Sequence, residues 1–138
     1  MADFLTAYKI TAKNEGGYAN VEGDRGGETY CGITRPNFPK WAGWVKVDAY
    51  KPLKNGQIVN DATLEDLVHS FYKQNFWDKV KGDDIINQES ANGIYDFAVN
   101  AGYRKAIILA QRALQIKETG VMDSTTLDTI NNTQKFEL

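Results

Sequence analysis

Residues 14–34 read Asn14-Glu15-Gly16-Gly17-Tyr18-Ala19-Asn20-Val21-Glu22-Gly23-Asp24-Arg25-Gly26-Gly27-Glu28-Thr29-Tyr30-Cys31-Gly32-Ile33-Thr34. Six of the twelve glycines of the chain fall in this interval. Glycines at such density supply positive φ or close backbone approach. The stretch therefore predicts a tightly turned region with short strands at Tyr18–Val21 and Thr29–Ile33. Upstream, Phe4, Ala7, Tyr8 and Thr11 recur at i, i+3, i+4 and i+7, which predicts an amphipathic helix over Asp3–Asn14. Asp3 stands where an N-cap or first-turn acid belongs. Glu15 closes this helix, and Gly16-Gly17 ends it as a glycine C-cap does.

Downstream the chain is mostly helical. Residues 40–60 carry Trp41, Trp44, Tyr50 and Pro52 without a firm period and predict short helical pieces and loop. From Asp61 or Thr63 as cap, Leu64, Leu67, Val68, Phe71 and Tyr72 form a buried stripe that ends near Trp77. A helix over Ser90–Ala101 turns Ile94, Phe97, Ala98 and Ala101 inward and stops at Gly102. Another over Arg104–Ile116 buries Ile107, Ala110, Ala113 and Leu114. Gly120 turns the chain, and Asp123 or Ser124 caps a last helix through Leu127 and Ile130. The fold class is α+β, mainly α, with a glycine-rich loop or small hairpin after the first helix and a helical lobe.

Composition narrows the chemistry. The chain has 138 residues, enough for one domain with a real core. One cysteine, Cys31, excludes an intrachain disulfide and a Cys-based zinc site, and one histidine, His69, excludes a His-His metal motif. No metal or organic cofactor is expected. Net charge is −2 and both halves carry the same charge balance, so nucleic acid is not an expected partner. No apolar run is long enough to span a membrane. The first residues lack the basic region and apolar run of a signal peptide. Cytoplasmic synthesis, with export by another route for any action elsewhere, is the expectation.

Carboxylates are left to carry the chemistry. Glycosidic cleavage commonly uses two of them, one protonated and one ionised, facing each other across the bond. A carboxylate at a helix C-terminus has its pKa raised by the dipole, more so if it is buried, which suits Glu15 to a general acid. Asp24 follows nine residues later on the glycine loop, with Glu22 and Glu28 as rivals for the second role. The alternative is a solvent-exposed Glu15, with Asp24 and Glu28 as turn or strand-edge residues paired with Arg25 or Arg35. Asp96 and Asn100 share a helix face at i, i+4. They either line a sugar cleft or bind backbone of the glycine loop. Trp77, inside a helical stripe, reads as core, and Cys31 reads as a buried thiol in the strand between Tyr30 and Gly32.

Asn14-Glu15-Gly16-Gly17-Tyr18, Gly26-Gly27-Glu28-Thr29 and Gly32-Ile33-Thr34 together resemble the signature of glycoside hydrolase family 108, lysozyme-like N-acetylmuramidases of which some are secretion activators. The likeness continues in Phe76-Trp77-Asp78 and Tyr95-Asp96-Phe97-Ala98-Val99-Asn100. Ala113-Leu114 and Gly120-Val121-Met122-Asp123 resemble the start of the peptidoglycan-binding segment that follows in that family. The resemblance implies a lysozyme-like fold and hydrolysis of the β-1,4 bond between N-acetylmuramic acid and N-acetylglucosamine in peptidoglycan. Glu15 takes the general-acid position. Asp24 is an assisting carboxylate at a spacing similar to that of phage-type lysozymes. Tyr18, Glu28, Thr29, Tyr30, Asp96 and Asn100 are candidate substrate contacts, with Tyr30 facing the cleft to position water. It also implies one lysozyme-like domain over 1–138, with 1–87 as the catalytic part and 88–138 as a helical segment resembling a shortened peptidoglycan-binding region. Phage endolysins and the secretion activators also lack a signal peptide and often reach the wall through a holin-like or membrane export partner. The competing function class is a non-catalytic cell-wall-binding or secretion-accessory module.

Overall fold

Asp3 begins the first helix as its type predicts. Its Oδ2 accepts from the Thr6 amide at 2.9 Å and the Thr6 hydroxyl at 2.8 Å, satisfying an amide that the helix itself leaves without a partner. The computed structural model describes residues 1–13, 16–20 and 27–138. In it helix α1 spans Phe4–Ala12 and buries Phe4, Ala7 and Thr11. It ends before the predicted Asn14. Three two-residue strands follow, β1 (Tyr18–Ala19), β2 (Thr29–Tyr30) and β3 (Ile33–Thr34), then α2 (Gly43–Ala49) and α3 (Ala62–Tyr72). A π-helical turn at Lys73–Trp77 and two 3₁₀ turns lead to α4 (Gln88–Ala101), α5 (Tyr103–Ala113) and α6 (Ser124–Asn132). No helix among the described residues is long and apolar enough to cross a membrane.

The predicted single strand over Thr29–Ile33 is two strands. Cys31 and Gly32 form the turn between them, both at positive φ (49° and 82°), as a two-residue type I′ hairpin turn requires. Cys31 therefore lies in a turn and is half-buried. Cysteine is not a typical residue for this turn, and β2 runs on into Tyr30 with ordinary strand chemistry, so the break is hidden in the sequence. The sheet is an antiparallel meander in the order β1-β2-β3. Tyr18, Tyr30 and Ile33 are paired across it and all three are buried, while the row Ala19, Thr29 and Thr34 is half-buried. The two-residue alternation thus sends one row inward.

The chain forms two compact units, Met1–Thr11 with Phe71–Leu138, and Ala12–Ser70. In the second unit, Trp44, Val47, Val59, Leu64 and Val68 join the hairpin row in the core. Asp61 caps α3, its Oδ1 accepting from the Leu64 amide at 2.9 Å. In the first unit, Phe4, Trp77 and Tyr95 pack with ring centroids 5.7–5.8 Å apart, in the edge-on geometry that aromatic quadrupoles favour. Trp77 is fully buried, and its indole nitrogen donates to Asp83 Oδ1 at 2.8 Å. Asn87 and Asp123 cap α4 and α6 by accepting from the Ser90 and Thr126 amides. Buried Gln111 binds the turn before α6. Its Nε2 donates to Thr119 Oγ1, Val121 O and Thr126 Oγ1, and its Oε1 accepts from the amides of Thr119 and Gly120. Ala101 and Ala113, predicted inward, are exposed because they close their helices, whereas Tyr95 and Ala106 are buried.

Candidate active site

The glycine-rich motif is anchored by backbone contacts. The Tyr18 amide donates to Gln57 O at 2.9 Å, and the Gly56 amide donates to Tyr18 O at 2.6 Å. The Cys31 amide donates to Gly17 O at 3.1 Å. Residues 17–18 are therefore bound by the 56–57 turn and by the hairpin. Gly17 is where this leaves no room: a Cβ there would lie 2.4 Å from Gln57 O.

Side chains complete the anchorage around Glu28. The Tyr18 hydroxyl donates to Glu28 Oε2 at 2.7 Å, and Lys51 Nζ approaches the same oxygen at 2.5 Å. Arg35 donates to Glu28 Oε1 at 2.9 Å. The Arg35 guanidinium also spans both oxygens of Asp48, at 2.7 and 2.9 Å, in the fork geometry that arginine suits best. Lys51 joins Asp48 at 2.9 Å. Arg35 lies 5.0 Å from the Trp44 ring centroid and Lys51 lies 5.9 Å from that of Tyr18. Two cations and two carboxylates thus balance.

Burial pushes the Glu28 carboxyl up, but hydrogen bonds from Lys51, Tyr18 and Arg35 outweigh it and hold Glu28 below its usual value. Arg35, then Lys51, holds Asp48 well below the carboxylate range. Burial, then Glu28, raises the Tyr18 phenol. Glu28 is thus an ionised group with both oxygens engaged, its side chain only 11% exposed. Glu28, an expected substrate contact, is paired internally, with Arg35 among its partners. Buried Tyr18 is likewise committed to Glu28. Tyr30 is engaged internally as well. Tyr30 is 2% exposed and its hydroxyl accepts from the Val59 amide at 3.0 Å. Thr29 is half-buried on β2.

On α4, Asp96 Oδ1 accepts from the buried Thr11 hydroxyl at 2.9 Å. Asn100 donates to Asp96 O at 2.8 Å and more weakly to Asp96 Oδ2 at 3.3 Å. This pair ties the last turn of α1 to α4. Glu15 and Asp24, the two candidate catalytic carboxylates, lie outside the described residues. Asp48, Lys51 and the Val59 amide were not singled out in the sequence, and no local pattern marks them, since they meet the hairpin only through folding. Among the described residues no cluster of three or more His, Cys, Asp or Glu is arranged to hold a metal ion.

The profile of the Glycosyl hydrolase 108 family matches residues 8–102. The chain belongs to glycosyl hydrolase family 108. No curated protein sequence matches it significantly. Among solved structures it is similar to Brucella abortus SagA, with a TM-score of 0.64 and 26% identity over 95% of this chain and 70% of that one. The α+β, mainly helical fold is lysozyme-like, as the family expectation held. The family match stops at residue 102, so the likeness of the C-terminal segment to a peptidoglycan-binding region is no part of it. The match does span the hairpin, the Glu28 network and Asp96 with Asn100.

Proposed function

We propose that this glycosidase cleaves the β-1,4 bond between N-acetylmuramic acid and N-acetylglucosamine in peptidoglycan. Glu15 acts as general acid and Asp24 as the assisting carboxylate. The observation that supports the reading best is the family match over residues 8–102, which contains the Glu-Gly-Gly-Tyr and Gly-Gly-Glu-Thr motifs together. In this reading the Glu15 carboxyl gives its proton to the departing glycosidic oxygen as the bond from the anomeric carbon breaks. The positive charge that develops on the muramic sugar is met by Asp24 or by a water that it orients, and water oxygen ends on the anomeric carbon. Thr29, Asp96 and Asn100 are the proposed sugar contacts. Action at the wall is reached through an export partner.

The test is release of reducing ends from purified peptidoglycan. General acid–base groups contribute about 10²–10⁴-fold. Glu15→Gln should therefore lower the rate at least a hundredfold while the far-ultraviolet circular dichroism stays that of the parent, and Asp24→Asn should lose less. Full activity in Glu15→Gln would remove the assignment. Binding of glycan strands by the parent protein without release of reducing ends would favour a cell-wall-binding module instead.

A further inference from the structure

The Glu28 network does no chemistry in the proposed reaction, yet it is the most heavily bonded polar cluster described in the Ala12–Ser70 unit. Its position in the chain suggests its purpose. Tyr18 stands three residues after Glu15, and Glu28 stands four residues after Asp24. Tethers of three and four residues span at most about 11 and 14 Å even when fully extended. Whatever holds Tyr18 and Glu28 therefore sets the origin from which each candidate carboxylate is carried.

We propose that Glu28 is a positioning residue of the glycosidase, the centre of a clamp with Tyr18, Arg35, Asp48 and Lys51. The clamp fixes the two roots of the segment between β1 and β2 and the chain that leaves Glu15. This rests on the reading of Glu15 and Asp24 as the catalytic pair. The clamp works from two sides. Tyr18 reaches Glu28 through its hydroxyl while its backbone pairs with Tyr30 and with residues 56–57. Glu28 in turn is held by Arg35 through its side chain, while its carbonyl accepts from the Arg35 amide at 2.8 Å. Arg35 and Lys51 are both tied to Asp48 at the end of α2, so the hairpin is referenced to a helix and not only to itself. Removing the Glu28 charge leaves Arg35 and Lys51 facing one carboxylate, and the link from Tyr18 to α2 is reduced to the longer contact of Lys51 with the Tyr18 ring.

The experiment compares full-length Glu28→Gln and Glu28→Ala with the parent on purified peptidoglycan, and follows amide hydrogen exchange at Tyr18, Cys31 and Arg35. Glu28→Gln should lower kcat about tenfold with KM within twofold, and Glu28→Ala should lower it about a hundredfold, so that the isosteric amide partly rescues. Exchange at the three amides should quicken at least tenfold in both. Gln111→Ala, which loosens the other unit, serves as a control for lost stability and should keep kcat near the parent value at a temperature where it is folded. Unchanged exchange at the three amides would overturn the clamp. Faster exchange with unchanged kcat would overturn its positioning role. A raised KM with unchanged kcat would make Glu28 a sugar contact instead, and a Gln111→Ala kcat as low as that of Glu28→Gln would reduce the effect to general destabilisation. Glu15→Gln is measured alongside. Full activity there ends the reading of Glu15 as general acid, while the exchange rates still decide whether the clamp exists.

Discussion

The two glycines after Glu15 have different jobs, and replacing each with alanine separates them. Gly16 has φ +68°, and a methyl group added there would have nothing within 4 Å among the described residues, so alanine meets chiefly the left-handed backbone penalty, roughly 1–2 kcal/mol. Gly17 has no such conformation, but its Cβ would lie 2.4 Å from Gln57 O and 2.8 Å from Gly56 O. That is about 1 Å inside ordinary contact, against backbone atoms that cannot swing aside. To admit the methyl, the 56–57 turn must move off. Doing so loses the Tyr18-to-Gln57 and Gly56-to-Tyr18 hydrogen bonds, each worth about 0.5–1.5 kcal/mol. Overpacking strain of this kind typically adds about 1–3 kcal/mol. Gly17→Ala should therefore cost about 2–6 kcal/mol, a fall in Tm of roughly 7–20 °C for a chain of this size. Gly16→Asn should recover part of the Gly16→Ala loss, because asparagine tolerates positive φ, whereas Gly17→Asn should be no better than Gly17→Ala. Scanning calorimetry on the four variants decides the matter. A Gly17→Ala protein melting within about 2 °C of the parent, well under the shift expected from such a loss, or rescue by asparagine at 17, would refute the steric argument.

Two further outcomes follow from the same unit. Tyr30→Phe removes the acceptor of the buried Val59 amide and should lower the denaturant-derived stability by about 1–3 kcal/mol, and a loss under about 0.5 kcal/mol would mean that the amide finds another partner. Acid should destabilise the fold through Glu28, Asp48 and Asp61. Asp61 is held at about 2, first by the Tyr50 hydroxyl and then by the Leu64 amide, and the other two also lie below their usual values. Carboxylates depressed on folding contribute stability above their unfolded values near 4, and that stability is lost as pH falls through the folded values. Tm should therefore stay level above about pH 5 and decline between about pH 4.5 and 2. A Tm that holds level down to about pH 2 would contradict this.

The helices were legible because their signals are local. Asp3, Asp61 and Asp123 cap within three residues of themselves, and the stripe from Leu64 to Tyr72 repeats with the helical period. The hairpin was legible only as a glycine-rich interval. Its turn at Cys31-Gly32 depends on a positive φ at a cysteine, which no residue preference announces. The family was legible from the order of its motifs, and with it the proposed role of Glu15.

What the sequence determined by itself is the mainly helical fold class and the glycosidase family, and its one cysteine and one histidine are what turned the proposed chemistry to carboxylates. What only tertiary structure decided is which groups the motif residues after Glu15 are bonded to. Tyr18, Glu28 and Tyr30 read as substrate contacts while their partners were unknown. Those partners are Arg35, Asp48, Lys51 and the Val59 amide, the last 29 residues from Tyr30. A buried polar group needs a partner, and a partner so far along the chain is supplied by folding, not by spacing.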